Sequence, residues 1–369
     1  MGRFARKQCV LIMAGGTGGH VFPGLAVAQN LRARGVEVIW LGTQGGMEVA
    51  LVTQAGFPVH TLPVSGLRGR GLMTWLLAPW RLSHALWAAL ILMHRLRPAV
   101  VLGFGGFASG PGGLMAAALG YPLMIHEQNS IAGLTNRSLA RLADQVLEAF
   151  PQTFPASRQA ITVGNPVREA IAALPPPEHR FQDREGPLRL LVLGGSLGAL
   201  TLNQSVPAAL ALLAERRAYT VIHQTGQRTL AQAQQAYADA GITPQQLSPF
   251  IEDMAAAYAW ADIVICRAGA LTLAELAAAG LGAILVPYPH AVDDHQRHNA
   301  QYLVDAGAAL CLPETQCNPE TLADGLAGLD RAQALVMARQ ARTLAKPLAT
   351  QTVADHCLRL GGLASTQGG

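Results

Sequence analysis

Two stretches of this chain place glycines between an apolar run and a helical pattern in a way that suits an anion. Gly194-Gly195-Ser196-Leu197-Gly198 follows the strand pattern 188–193 and precedes a helical pattern over 199–213. Arg267-Ala268-Gly269-Ala270-Leu271-Thr272 follows residues 263–266 and precedes a pattern over 273–279. A turn of this kind exposes main-chain N–H groups, and the dipole of the next helix adds about half a positive charge. Glycines also serve tight packing, so one such turn is a weak signal; two in the same half of a chain point to phosphate. Neither is a P-loop, because no Gly-Lys-Ser/Thr follows. No Asp-x-Asp occurs in the sequence, so a metal-bridged diphosphate lacks support and backbone dipoles would stabilise a departing anion. Glu275, three residues past Thr272, can accept two hydrogen bonds from a ribose diol; a helix N-terminal acid favouring the dipole is the alternative.

The other half carries Gly15-Gly16-Thr17-Gly18-Gly19, closed by His20. These crowded glycines do not match the nicotinamide fingerprint, and Glu37, near the offset of that motif's acid, lies inside a strand pattern. His20 stands at a strand's carboxyl end, where open α/β sheets bind ligands, and an imidazole with a pKa of about 6.5 suits proton abstraction near neutrality. A helix-terminal histidine without a catalytic role is the other reading. Ile125-His126-Glu127-Gln128-Asn129 ends a further strand. There Glu127 is either a base or the support of an imidazole, and Asn129 a hydroxyl ligand; a structural hydrogen-bond network is the alternative. The loop from His290 to Asn299 is dense in donors and acceptors. Sugar recognition by Gln296 and Asn299 explains it more simply than a metal, because its carboxylates are adjacent. No metal or cofactor is expected.

Residues 49–126 contain no Asp or Glu, yet they hold Arg68, Arg70, Arg81, Arg95 and Arg97, with Trp75, Trp80 and Trp87. Basic residues with interfacial tryptophans suit anionic lipid headgroups. The apolar stretch 72–93 does not read as a span: Pro79, Arg81, Ser83 and His84 sit in its middle. A span needs ~20 residues with few charges, and a central Arg costs about 2.5–3.5 kcal/mol. A proline-interrupted helix lying on a membrane surface is expected, with an ordinary buried helix as the alternative. Nucleic acid fits poorly, since there are no lysine clusters and the aromatics sit in aliphatic sequence.

Elements must position these groups. With 369 residues, half of them apolar, 14% charged and a net charge of +4, the chain excludes disorder and suggests about two domains. Five scattered cysteines without Cys-x-x-Cys read as reduced thiols, and residues 1–8 do not read as a secretory signal. Strand patterns at 9–13, 37–41, 59–62, 100–102 and 123–125, most of them apolar, alternate with helical patterns such as 24–34, which predicts a parallel sheet covered on both faces. The pattern restarts with strands at 188–193, 220–224, 263–266 and 283–286, a coarse internal duplication of a dinucleotide-type fold. Gly164-Asn165-Pro166 and Pro175-Pro176-Pro177 mark a hinge or linker. A helix over 348–360 is expected to pack back on the first domain.

Taken in order, Gly15-Gly16-Thr17-Gly18-Gly19-His20-Val21-Phe22-Pro23-Gly24, His126-Glu127-Gln128-Asn129, Gly164-Asn165-Pro166-Val167-Arg168, Gly194-Gly195-Ser196 and Cys266-Arg267-Ala268-Gly269-Ala270-Leu271-Thr272 resemble one family closely. It is the bacterial MurG family, which adds N-acetylglucosamine (GlcNAc) to undecaprenyl-diphospho-muramoyl-pentapeptide, converting lipid I to lipid II in peptidoglycan synthesis. The resemblance spans about residues 10–309. It implies an α/β protein of the GT-B type, two Rossmann-like domains with parallel sheets facing a central cleft. Residues 1–164, with 346–362, would form an acceptor and membrane-binding domain, 165–345 the UDP-GlcNAc domain, and 363–369 a tail.

Carried over by motif, Ser196 and its turn would meet the diphosphate, the backbone at Ile251 the uracil, Arg168 the nucleotide and Glu275 the ribose. Ala270, Leu271, Thr272, Leu273 and Ala274, with Gln296 and Asn299, would line the GlcNAc and diphosphate. Thr17, Gly18, Gly19 and Asn129 would approach from the other domain, closure about Asn165-Pro166 would assemble the site, and His20 or Glu127 would deprotonate or bind the acceptor. The family also implies a peripheral place on the cytoplasmic face of the bacterial inner membrane, with anionic lipid and cell-wall synthesis proteins as partners. Two departures stand out: Leu197 replaces a usual Gln, and Phe107 stands where Tyr is expected. Another GT-B UDP-sugar enzyme, such as a glycolipid glycosyltransferase or a UDP-GlcNAc epimerase, is the first alternative. A nonenzymatic membrane scaffold is the second.

Overall fold

The computed structural model of the chain describes residues 8–63, 78–195, 198–291 and 294–363. They divide into two compact units, one running to Val167 and resuming at Leu348, the other Arg168–Pro347. The changeovers therefore fall after Val167 and Pro347, a few residues beyond the expected boundaries after residues 164 and 345.

The first unit is built on seven parallel strands: β1 (Cys9–Ala14), β2 (Glu37–Thr43), β3 (Val59–Leu62), β4 (Val100–Gly105), β5 (Leu123–Glu127), β6 (Gln145–Glu148) and β7 (Ile161–Thr162). Their order is β3-β2-β1-β4-β5-β6-β7. Along β1 the side chains alternate between two cores. Val10, Ile12 and Ala14 join one, and Cys9, Leu11 and Met13 the other. Both faces are covered, so the strand reads as an unbroken apolar run. The C-terminal helix, Ala349–Gly361, buries Val353, Ala354, Cys357 and Leu358 in the Val10 face. It is pinned by an Arg34–Asp355 ion pair and by the Gln145 Nε2–His356 Nδ1 contact at 2.7 Å.

The second unit has six parallel strands: β8 (Leu188–Leu193), β9 (Tyr219–Gln224), β10 (Gln246–Ser248), β11 (Ile263–Cys266), β12 (Gly282–Leu285) and β13 (Ala309–Cys311). Their order, β10-β9-β8-β11-β12-β13, repeats the scheme of the first sheet. In each sheet the order reverses between the first and fourth strands, β1/β4 and β8/β11. A crevice opens there at the carboxyl edge, and the turns leaving these strands carry the glycine-rich motifs.

Local readings of the sequence miss several helix starts. The first helix covers Gly18–Ala33 with Pro23 inside it, whereas the pattern predicts a start at residue 24. Gly18, Gly19, Pro23 and Gly24 favour a loop, but burial of Val21, Leu25 and Ala28 outweighs local propensity. Gly24 is needed for packing, since a Cβ there would stand 2.7 Å from the Trp40 ring. The apolar stretch predicted over 72–93 is described from residue 78 onward, as the helix Ala78–Leu96; residues 72–77 lie outside the described residues.

The amino ends of β8 and β11 are fastened by Asp262, which is fully buried. Its carboxylate pairs with Arg184, meets Arg331 at 3.2 Å and accepts the Arg189 N–H at 3.0 Å. Removing one partner of a buried pair leaves the others uncompensated. Asp262→Ala is expected to lower stability by about 3–5 kcal/mol, read as a fall in the urea midpoint of unfolding.

Candidate functional site

In the first unit the chain leaves β1 through Gly15 and Gly16 and enters the helix at Gly18, with Thr17 as N-cap in extended conformation. Gly18, Gly19 and His20 thus form the first helical turn. His20 is half-buried. Its Nδ1 lies 3.1 Å from the Gly15 carbonyl oxygen and 3.5 Å from Thr17 Oγ1. A carbonyl only accepts, so Nδ1 carries the proton and Nε2 the basic lone pair. Gly105, at φ +104°, backs the ring: a Cβ there would be 3.3 Å from Nε2. The neighbouring Phe107 is exposed.

Glu127, the second candidate base, is held by the loop that follows it. It is 2% exposed. One carboxylate oxygen accepts Asn129 N at 3.0 Å and Asn129 Nδ2 at 3.2 Å. The other accepts Gly133 N at 3.1 Å and Asn136 Nδ2 at 2.9 Å. Four N–H donors match the lone-pair capacity of a carboxylate. Glu127 therefore shapes the loop that carries Asn129.

Its neighbour His126 is fully buried, and burial pushes its imidazole down to about 4 despite the Gly164 bond. Neutral, it donates from Nε2 to Gly164 O at 2.9 Å and accepts Gln128 Nε2 at Nδ1, 3.1 Å away. Asn165 Nδ2 closes the network on Gln128 O at 3.0 Å. This is the structural reading of the cluster.

In the second unit the helix after β11 spans Ala270–Ala279, with Gly269 as N-cap. Ala270, Leu271 and Thr272 occupy its first turn, where N–H groups find no carbonyl within the helix. Leu273 is buried and Ala274 half-buried. Because the helix begins three residues earlier than its apolar pattern suggests, Glu275 sits in the second turn and is not a helix-terminal acid. It is buried, with one oxygen 2.8 Å from Arg168 Nη2 and the other accepting the Tyr258 hydroxyl at 3.0 Å. Burial, then the Glu275 charge, hold the Tyr258 phenol well above its usual value, so it stays a donor. Tyr258 has no local sequence signal; it belongs to the site only through the fold.

Gln296 accepts the Tyr288 N–H at 2.9 Å. Asn299, expected to face a sugar, is fully buried instead and donates to Ala268 O at 3.3 Å. It supports the loop after β11. Ile251 is buried in the turn between β10 and the helix Met254–Trp260. Arg267, beside the glycine turn, is tied to Glu314 at 2.7 Å. The turn after β8 closes with Gly198 N–H on Gly195 O at 3.1 Å. Gly198 is obligatory, at φ +85° and with a Cβ position 2.2 Å from Thr229 Oγ1. Ser196 and Leu197 lie outside the described residues, as do Arg68, Arg70 and Trp75. Among the described residues no three His, Cys, Asp or Glu form a metal-holding group.

The helix Ala78–Leu96 buries Ala85, Ala89, Leu92 and Met93 on one side. Trp80, His84, Trp87 and Ile91 recur at helical spacing on the other. Trp80 is 67% and Trp87 62% exposed, Trp80 stacks on His84 at 5.8 Å, and Arg81 is half-buried. Among the described residues no helix is long and apolar enough to cross a membrane.

Residues 10–148 match the model of the glycosyltransferase family 28 N-terminal domain, and residues 189–355 that of the family's C-terminal domain. Similarity extends further to a Nitrosococcus oceani protein named UDP-N-acetylglucosamine–N-acetylmuramyl-(pentapeptide) pyrophosphoryl-undecaprenol N-acetylglucosamine transferase. It is 57% identical over 95% of this chain and 98% of its own length. The chain belongs to the MurG family. A Ralstonia nicotianae protein of the same name is 54% identical over 95% of this chain and 96% of its own. The crystal structure of Acinetobacter baumannii MurG superposes with a TM-score of 0.84 at 43% identity, covering 96% of this chain and all of that one. The two Rossmann-like units are those of a GT-B glycosyltransferase of the MurG type.

The His126 network has a thermodynamic consequence. Its folded pKa of about 4 lies below the unfolded value of 6.5, so between these limits the unfolded state binds more protons and stability falls as pH drops. From pH 7 to pH 5.5 this histidine is expected to remove about 1 kcal/mol. His126→Gln should flatten that part of the pH dependence of the urea midpoint.

Proposed function

We propose that the chain transfers GlcNAc from UDP-GlcNAc to the C4 hydroxyl of the N-acetylmuramoyl sugar of lipid I, giving lipid II and UDP with inversion at the anomeric carbon. The observation that carries this reading is the near-full-length relationship to the N. oceani transferase, joined to a histidine whose Nδ1 is committed to Gly15 O.

The first unit takes the acceptor. His20 Nε2 removes the hydroxyl proton as the oxygen attacks the anomeric carbon, and Thr17, Gly18, Gly19 and Asn129 orient the sugar. The C–O bond to UDP breaks, and the electron pair leaves with the diphosphate. The second unit takes the donor. Turn 194–198, including Ser196, and the first turn of Ala270–Ala279 offer N–H groups to the diphosphate, where negative charge grows in the transition state. Glu275, oriented by Arg168 and Tyr258, accepts from the ribose; Ile251 meets the uracil through its backbone; Ala274 and Gln296 border the sugar, with Leu273 buried behind them. Asn299 supports this surface from below.

A peripheral place on the cytoplasmic face of the inner membrane fits an acceptor on an undecaprenyl anchor. The exposed Trp80–Trp87 stripe, with Arg81 and the flanking Arg68, Arg70 and Trp75, would rest on anionic headgroups.

Incubation with UDP-GlcNAc and a lipid I analogue should yield the disaccharide and UDP. Formation of an epimerised UDP-sugar without acceptor would contradict the reading. His20→Ala is expected to lower kcat by about 100-fold or more while the donor KM stays within about twofold; near-normal turnover would refute the base assignment. Replacing Trp80 and Trp87 by Ala should weaken binding to phosphatidylglycerol vesicles by about tenfold or more, measured by sedimentation; unchanged binding would remove this helix from the membrane contact.

A further inference from the structure

Glu48 lies in the helix Met47–Gln54, just after β2, and is fully buried. One of its carboxylate oxygens accepts the Thr43 N–H at 2.7 Å, the other the Gly16 N–H at 3.3 Å. Glycines make room for it. A Cβ on Gly46 would come within 2.3 Å of both oxygens, one on Gly15 within 2.5 Å of the nearer oxygen, and one on Gly42 within 2.8 Å of Glu48 Cγ. Two of these three glycines lie outside the glycine-rich turn, so the pattern reflects accommodation of a carboxylate as well as a tight bend.

The Gly16 N–H and the Gly15 carbonyl belong to the same planar peptide unit. Its N–H points at Glu48 and its oxygen at His20 Nδ1, 3.1 Å away. We propose that Glu48 is a positioning residue for His20, acting through this peptide as carboxylate, peptide N–H, peptide C=O and imidazole Nδ1–H in series. Hydrogen bonds in series polarise one another. The carboxylate draws on the N–H and makes the carbonyl oxygen a stronger acceptor. The carbonyl in turn fixes the Nδ1–H tautomer and stabilises the imidazolium formed when Nε2 takes the acceptor proton. No proton reaches Glu48; its charge acts at one remove, as an orienting carboxylate does when it touches the histidine directly. Gly16, at φ +89°, gives the turn the left-handed conformation that presents this peptide both ways.

This inference rests on the assignment of His20 as base, and a double-mutant cycle separates the two. Glu48→Gln keeps the shape. Its remaining oxygen can serve Thr43, which leaves an NH2 group facing the Gly16 N–H. With UDP-GlcNAc and a lipid I analogue, E48Q is expected to lower kcat at least about tenfold with the donor KM within about twofold. In an H20A background the same change should cost less than about twofold, because the path it acts through is gone. An equal loss in both backgrounds, or an E48Q kcat within twofold of the parent when H20A is impaired, overturns the inference alone. An H20A kcat near the parent value overturns the base assignment beneath it. Should E48Q not fold, nitrogen-15 NMR of His20 in the unaltered protein decides: the Nδ1–H tautomer supports the series, and the Nε2–H tautomer overturns it.

Discussion

An all-parallel sheet sends every strand out through the same edge, and this constraint governs where chemistry can sit in both units. Each β-to-α turn delivers a helix N-terminus to that edge, so main-chain N–H groups accumulate there without any charged side chain. Where the strand order reverses, between β8 and β11 in the second unit, two such turns flank one crevice. A diphosphate leaving a sugar needs a fixed positive field that does not have to reorganise during the reaction. In the proposed reaction two helix ends held by a buried sheet provide it.

The first unit uses the same topology for a different purpose. Its turn after β1 is held by a buried carboxylate, Glu48, and presents an imidazole at the start of the helix. In the proposed reaction the duplicated fold separates the two halves of a group transfer, one crevice taking the anion and the ribose, the other the proton and the sugar alcohol. Around both, buried polar side chains hold the local structure: Glu127 and His126 in the first unit, Asn299, Glu275 and Tyr258 in the second.

Much of the architecture was legible in the chain. Strands such as residues 190–193 and 263–266 stand out because both of their faces are buried and no polar residue interrupts them. Helix starts were less legible, since Gly18, Gly19, Pro23 and Gly24 are locally unfavourable and are held by packing against Trp40 and the β1 core. Among chemical groups, His20 and Glu275 announce themselves by following glycine-rich turns. Glu127 and Asn299 look equally reactive in sequence, and only the fold shows that neighbouring amides and carbonyls occupy them. Glu48 and Tyr258 carry no signal, because their partners lie 32 and 17 residues away. The exposed tryptophan stripe was visible as an absence of acids, since an ordinary surface helix balances its charges.

The most direct measurement is a crystal structure of the protein soaked with UDP-GlcNAc. The account predicts the diphosphate against turn 194–198 and the first turn of Ala270–Ala279, with the ribose hydroxyls on Glu275. Uridine density at the turn after β1, or anywhere away from the carboxyl edge of β8 and β11, would contradict it.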